Sequence, residues 1–173
     1  MKNIFEKLNT NSKYRLLKCQ LLVMDFDGVL TDNCVYVDSD GRETVRCSRA
    51  DGAGLSYLKK YSDVASLILS SERNPIVAAR AAKLKIPCLH KVGLEEKLEV
   101  LKNELKSRGI APEFVCYVGN DLNDVACMKY VGLAIAVADS HPEVLRSAGY
   151  VTTAPGGHGA VREVCELILY GKK

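Results

Sequence analysis

From residue 20 onward, short apolar runs alternate with longer amphipathic stretches. The runs at 20–25, 64–70, 87–90, 114–119, 133–138 and 150–152 have the length and continuity of buried strands. Between them the apolar positions recur at helical spacing. Asn74 followed by Pro75 opens a helix over 75–84. Leu94, Leu98, Leu101 and Leu105 place a stripe along 94–108, which Gly109 stops. Ser140 and Glu143 read as a capping box for 141–148, and 159–170 forms a last helix. Strand–helix alternation at this pitch predicts a doubly wound α/β fold with a parallel sheet.

Two segments depart from the alternation. Residues 1–19 are polar with loosely spaced apolar positions, an N-terminal extension read as a short amphipathic helix or a lead-in. Residues 20–173 make one domain. Within it, 35–37 and 43–47 flank Asp38-Ser39-Asp40-Gly41 and predict a β-hairpin with an Asp-Gly turn. It follows the first strand directly, so it stands over that strand's carboxyl end. There it covers a site or pairs with another subunit through its edge.

The first strand ends in the most informative residues of the chain. Leu21-Leu22-Val23-Met24 runs into Asp25 and Asp27, and Gly28 turns the chain. In an open parallel sheet the carboxyl ends of strands line the ligand crevice. Two carboxylates there need a cation or a transferable proton; the bland alternative is an ordinary Asx turn. Ser70 closes the next strand, and Lys97 sits in a helical first turn, where the dipole disfavours a cation unless an anion faces it. After the apolar run 115–118 comes Gly119-Asn120-Asp121-Leu122-Asn123-Asp124, rich in oxygen donors. Together these fit phosphoryl transfer. Asp25 is the nucleophile and Asp27 the acid/base. Ser70 and Lys97 hold the transferring group. Mg²⁺ is held by Asp25, the Asp27 carbonyl and the Asn120/Asp121 loop, and Asp124 orients the site from behind.

Composition narrows the picture only slightly. The 173 residues carry a net charge of +3, are 47% hydrophobic and have a pI near 8.4, with no basic run that would suggest nucleic acid. A small anionic substrate suits this balance. Seven cysteines show neither CxxC nor zinc spacing and read as reduced thiols of a cytoplasmic protein. No signal peptide and no membrane span is expected.

Asp25-Phe26-Asp27-Gly28-Val29, Ser70, Lys97 and Gly119–Asp124 resemble, in order and spacing, the four motifs of the haloacid dehalogenase (HAD) superfamily. Residues 28–32, the hairpin, 51–54, 138–142 and 156–163 narrow the resemblance to small phosphatases of 2-keto-3-deoxy sugar acids. These act on octulosonate 8-phosphates or nonulosonate 9-phosphates. The resemblance implies no separate cap domain and a homotetramer with shared active sites. It also implies contacts from Glu72, Arg80 and Lys83 to the substrate. Glu72 resembles the nonulosonate branch, which favours a nine-carbon acid. Asn120 stands where the family usually has Asp, which leaves a weakly active, tetramerising or regulatory module as a second reading. A receiver domain, the third, is disfavoured because its acceptor Asp closes a later strand.

Overall fold

The computed structural model describes residues 2–172. Two helices, α1 (Lys2–Lys7) and α2 (Thr10–Lys18), precede β1 (Leu21–Met24). Then come β2 (Thr31–Val37), β3 (Glu43–Cys47), α3 (Arg49–Tyr61), β4 (Ala65–Leu69), α4 (Ile76–Leu84), β5 (Cys88–Leu89) and α5 (Lys97–Arg108). The chain closes through β6 (Val115–Gly119), α6 (Val125–Tyr130), β7 (Leu133–Ala136), α7 (Pro142–Ser147), β8 (Tyr150–Val151) and α8 (Ala160–Gly171). Among the described residues no helix is long and apolar enough to cross a membrane.

Six strands form one parallel sheet in the order β5-β4-β1-β6-β7-β8. The chain builds outward from β1 through β4 to β5, then returns to β6 on the other side of β1. That reversal is the topological switch point at which doubly wound sheets bind ligands. Met24 is level with both Ile68 and Val118, so Asp25, Ser70 and Asn120 emerge near one another. Every side chain of β1 is fully buried. Leu22 and Met24 pack on one face with Leu58, Val164 and Ile168; Leu21 and Val23 pack on the other with Leu101, Leu105 and Met128. Covering both faces explains why the strands read as continuous apolar runs.

Close backbone approaches seat the helices. A Cβ on Gly54 of α3 would lie 2.8 Å from the Arg162 Cα, so only glycine lets α3 and α8 meet there. Asp51, buried in the first turn of α3, accepts from the backbone N–H groups of Arg162 (2.8 Å) and Gly159 (3.3 Å) at the start of α8. The preceding loop is pressed on the site: a Cβ on Gly156 would fall 1.8 Å from the Gly28 carbonyl oxygen.

The hairpin forms a separate two-stranded sheet. Its loop keeps Gly41 left-handed at φ +77°, as the expected Asp-Gly turn requires, but is longer than a two-residue turn. Asp38 Oδ1 accepts from the N–H groups of Asp40 (2.9 Å) and Arg42 (2.8 Å), which makes a longer, side-chain-closed turn. Arg46 of β3 pairs with Asp32 at 2.7 Å and also contacts His158 Nε2. A guanidinium only donates, so Nε2 accepts there and the Nδ1–H donates to the Gly156 carbonyl at 2.7 Å. The other expectation corrected is the cap of α7. His141, not Ser140, takes that place, its Nδ1 accepting from Glu143 N. Ser140 is buried and donates to the Val137 carbonyl instead.

Glu163 of α8 anchors the outer edge of the sheet. Its carboxylate accepts from Tyr150 Oη, Thr153 N (3.0 Å), Thr153 Oγ1 (2.5 Å) and Ala154 N (3.3 Å). Glu163→Ala leaves these donors without an acceptor and should lower unfolding stability by about 2–3 kcal/mol, with a smaller loss in Glu163→Gln. Urea denaturation followed by circular dichroism measures both.

Candidate active site

Asp25 leaves β1 with its carboxylate inside the protein, 5% exposed. Its Oδ1 accepts from the Phe26 N–H at 2.7 Å, and its Oδ2 is 2.9 Å from Lys97 Nζ. Lys97 is the first residue of α5 and is 1% exposed. The same ammonium lies 2.7 Å from Asp124 Oδ1. Asp124 is fully buried and saturated: Oδ1 also accepts from Tyr117 Oη at 2.7 Å, and Oδ2 from Asn120 N at 2.9 Å. The loop after β6 is thus folded around Asp124, while Asp121 is exposed at the cleft and accepts from Leu122 N at 2.7 Å.

One cation therefore serves two buried carboxylates. Burial works to discharge Lys97, but the charges of Asp25 and Asp124 outweigh it and hold the ammonium above its ordinary range. Burial and the neighbouring Asp124 push Asp25 up to about 7, against the pull of Lys97. Asp27 is also raised, by burial first and then by the charge of Glu72, with the Thr31 hydroxyl opposing. The pocket thus has more negative charge than Lys97 can neutralise.

Asp25, Asp27, Asn33, Asn120, Asp121 and Leu94 line an open cleft of about 370 Å³ at the carboxyl end of the sheet. The residues fit a hard divalent cation. Asn120 is 7% exposed, and its side-chain oxygen is buried with no hydrogen-bond partner, as a ligand oxygen would be. A Cβ on Gly28 would sit 2.0 Å from Asn120 Nδ2, so this glycine admits the amide against the turn after Asp27. Among the described residues no three His, Cys, Asp or Glu side chains cluster as a cage. The donors on offer are two carboxylates, an amide and backbone carbonyls, which suits an ion that keeps some of its water.

The expected site residues divide into two groups. Asp25, Asp27, Lys97, Asn120, Asp121 and Asp124 come together. Ser70 is 1% exposed at the end of β4; its Oγ accepts from Glu72 N at 3.1 Å and its O–H remains to donate. Glu72 is near enough to raise Asp27, but its Oε1 is engaged by the Asn74 N–H at 2.6 Å. Arg80 and Lys83 lie elsewhere, in a depression of about 430 Å³ shared with Arg49 and Ser56. Arg80 donates to the Ser48 carbonyl at 3.0 Å. The sequence reading passes over Tyr117 and gives Thr31, within the 28–32 resemblance, no role of its own. Tyr117 is a hydroxyl in an otherwise apolar buried strand, and that mismatch was the available signal. Thr31 Oγ1 accepts from Gly28 N at 3.1 Å and reaches Asp27 Oδ1 at 3.5 Å.

Known proteins are similar to this chain in sequence and fold. A profile of the haloacid dehalogenase-like hydrolases matches residues 95–163. The 3-deoxy-D-manno-octulosonate 8-phosphate phosphatase KdsC of Escherichia coli K12 is 42% identical over 150 residues, covering 87% of this chain and 79% of that protein. A solved structure of a HAD family hydrolase from Streptomyces avermitilis is 49% identical, with a TM-score of 0.85 over 94% of this chain and 88% of the other. The Moraxella catarrhalis octulosonate phosphatase, solved with magnesium, phosphate and KDO, is 34% identical with a TM-score of 0.88, covering 95% and 94% of the two chains. At such identity over nearly the whole length, the chain belongs to the haloacid dehalogenase-like hydrolases, in the family of the 3-deoxy-D-manno-octulosonate 8-phosphate phosphatases.

Proposed function

We propose that this protein is a Mg²⁺-dependent phosphatase that hydrolyses 3-deoxy-D-manno-octulosonate 8-phosphate. The observation that carries the reading is the Asp25–Lys97–Asp124 array beside Asp27, in a family whose named members are phosphatases of that ester. Asp25 attacks phosphorus as the leaving alcohol departs, giving an aspartyl-phosphate. Asp27, raised by burial and by Glu72, is suited to carry the proton that the alcohol takes. It then removes a proton from the water that cleaves the acyl phosphate. Lys97 fixes Asp25, and Ser70 donates to a phosphoryl oxygen. Asp25, the Asp27 carbonyl, Asn120 and Asp121 would hold Mg²⁺, which when bound offsets the charge of the phosphoryl group.

Glu72 gives weaker support for a nine-carbon substrate than its position in the sequence does. Its carboxylate is partly spent on Asn74 N, and the relatives named for a substrate are octulosonate phosphatases. We therefore favour the eight-carbon ester. Arg80 and Lys83 do not line the cleft that holds Asp25 and Asp27, which supports a substrate contact from them in another subunit's site. The exposed Val35, Tyr36 and Val37 on the hairpin supply an apolar surface for a homotetramer. The reduced cysteines and the sugar-acid substrate are consistent with a cytoplasmic enzyme.

Phosphate release from octulosonate 8-phosphate and nonulosonate 9-phosphates, measured side by side with Mg²⁺, tests the reading. The eight-carbon ester should give the higher kcat/KM. Asp25→Asn or excess EDTA should abolish turnover; activity that survives both removes the assignment.

Asn120→Asp adds a charged ligand and should bind Mg²⁺ at least as tightly as the native chain in a metal titration. No change in that variant, together with lost binding in Asp121→Ala, would transfer the ligand role to Asp121.

Tyr36→Asp places a charge in the hairpin surface. Sedimentation velocity should show a tetramer for the native chain and smaller species for the variant. A fully active native monomer at assay concentration would refute the shared-site arrangement.

A further inference from the structure

Asn33 is the strained residue of the cleft. It holds φ at +61°, a left-handed conformation that asparagine tolerates better than most side chains. Among the described residues the other two non-glycine residues of positive φ are Lys85, which ends α4, and Lys91. Asn33 instead lies within β2, where the pairing with β3 shifts register between Thr31 and Val35. Its backbone is tied to the catalytic turn, the N–H donating to Thr31 Oγ1 at 3.3 Å. The same hydroxyl reaches Asp27. The irregularity thus sets Asn33 in the cleft wall on the side of Asp27. Its side-chain amide is exposed and makes no hydrogen bond among the described residues.

The neighbours define what that amide can meet. Asp25 and Asp27 are committed to the phosphoryl group and its proton, and Leu94 and Leu122 make the rim apolar. The leaving alcohol has to approach Asp27 to be protonated, so the carbons next to the ester pass Asn33. An amide both donates and accepts, which matches a hydroxyl better than a carboxylate or an aliphatic side chain does. We propose that Asn33 determines specificity by hydrogen-bonding the hydroxyl groups that flank the ester in a polyhydroxylated leaving group. This rests on Asp27 as the donor to the leaving alcohol.

Asn33→Gly keeps the left-handed backbone and removes only the amide. The test compares kcat/KM on two esters, the hydroxylated ester that the native enzyme cleaves best and p-nitrophenyl phosphate, which has no hydroxyl beside its ester. The variant should lose about tenfold on the first and little on the second. An unchanged ratio, or an equal loss on both esters, overturns the proposal, because each means that the amide does not read the alcohol. If the glycine lowers the denaturation midpoint, the comparison is made with Asn33→Asp, which tolerates the same φ and lacks the donors. Native rates on sugar-acid phosphates against other esters judge the substrate reading separately, and no native turnover of any ester would overturn both.

Discussion

The ammonium of Lys97, shared between two buried carboxylates, is the interaction on which the site depends. Taking three charges out of water is costly, and removing one partner of such an array typically costs about 3–5 kcal/mol. The fold supplies what keeps it: two strand ends in register, the start of α5 placed beneath them, and Tyr117 and Asn120 N–H completing the shell of Asp124. Because Asp124 takes half of the cation, Asp25 is left short of positive charge. That deficit suits the site to a further cation.

Much of this was legible in the sequence, for physical reasons that differ from element to element. The sheet is covered on both faces, so its strands appear as unbroken apolar runs, and each began and ended within two residues of its reading. Asp25, Asp27 and Asn120 stood out because polar side chains directly after buried strands are costly without a purpose. Lys97 stood out as a cation at the wrong end of a helix. The partnership of Lys97 with Asp124 was hidden, since it joins residues 27 positions apart through tertiary packing. The α7 cap was misread because Ser140 finds a buried carbonyl, which frees the exposed His141 for the capping role. Pattern reading also made one amphipathic segment or lead-in of residues 1–19, where α1 and α2 stand separated at Asn9, whose side chain accepts from Ser12 N at 2.8 Å.

Arg80 and Lys83, which the resemblance implies as substrate contacts, line a different depression from Asp25 and Asp27. The motif spacing puts them near the site in sequence, yet α4 turns them toward α3 and the Ser48 carbonyl. The exposed hairpin, an apolar strand pair with free edges, is a poor surface for an isolated chain.

The open cleft has a kinetic consequence. Many enzymes that enclose their substrate must reopen before product departs, and that motion then limits the cycle. Among the described residues of a single chain no second folded unit stands over Asp25, so within that chain no domain movement gates the departure of inorganic phosphate and the freed alcohol. What is given up is the exclusion of bulk water, so selectivity has to come from the cleft walls themselves rather than from closure.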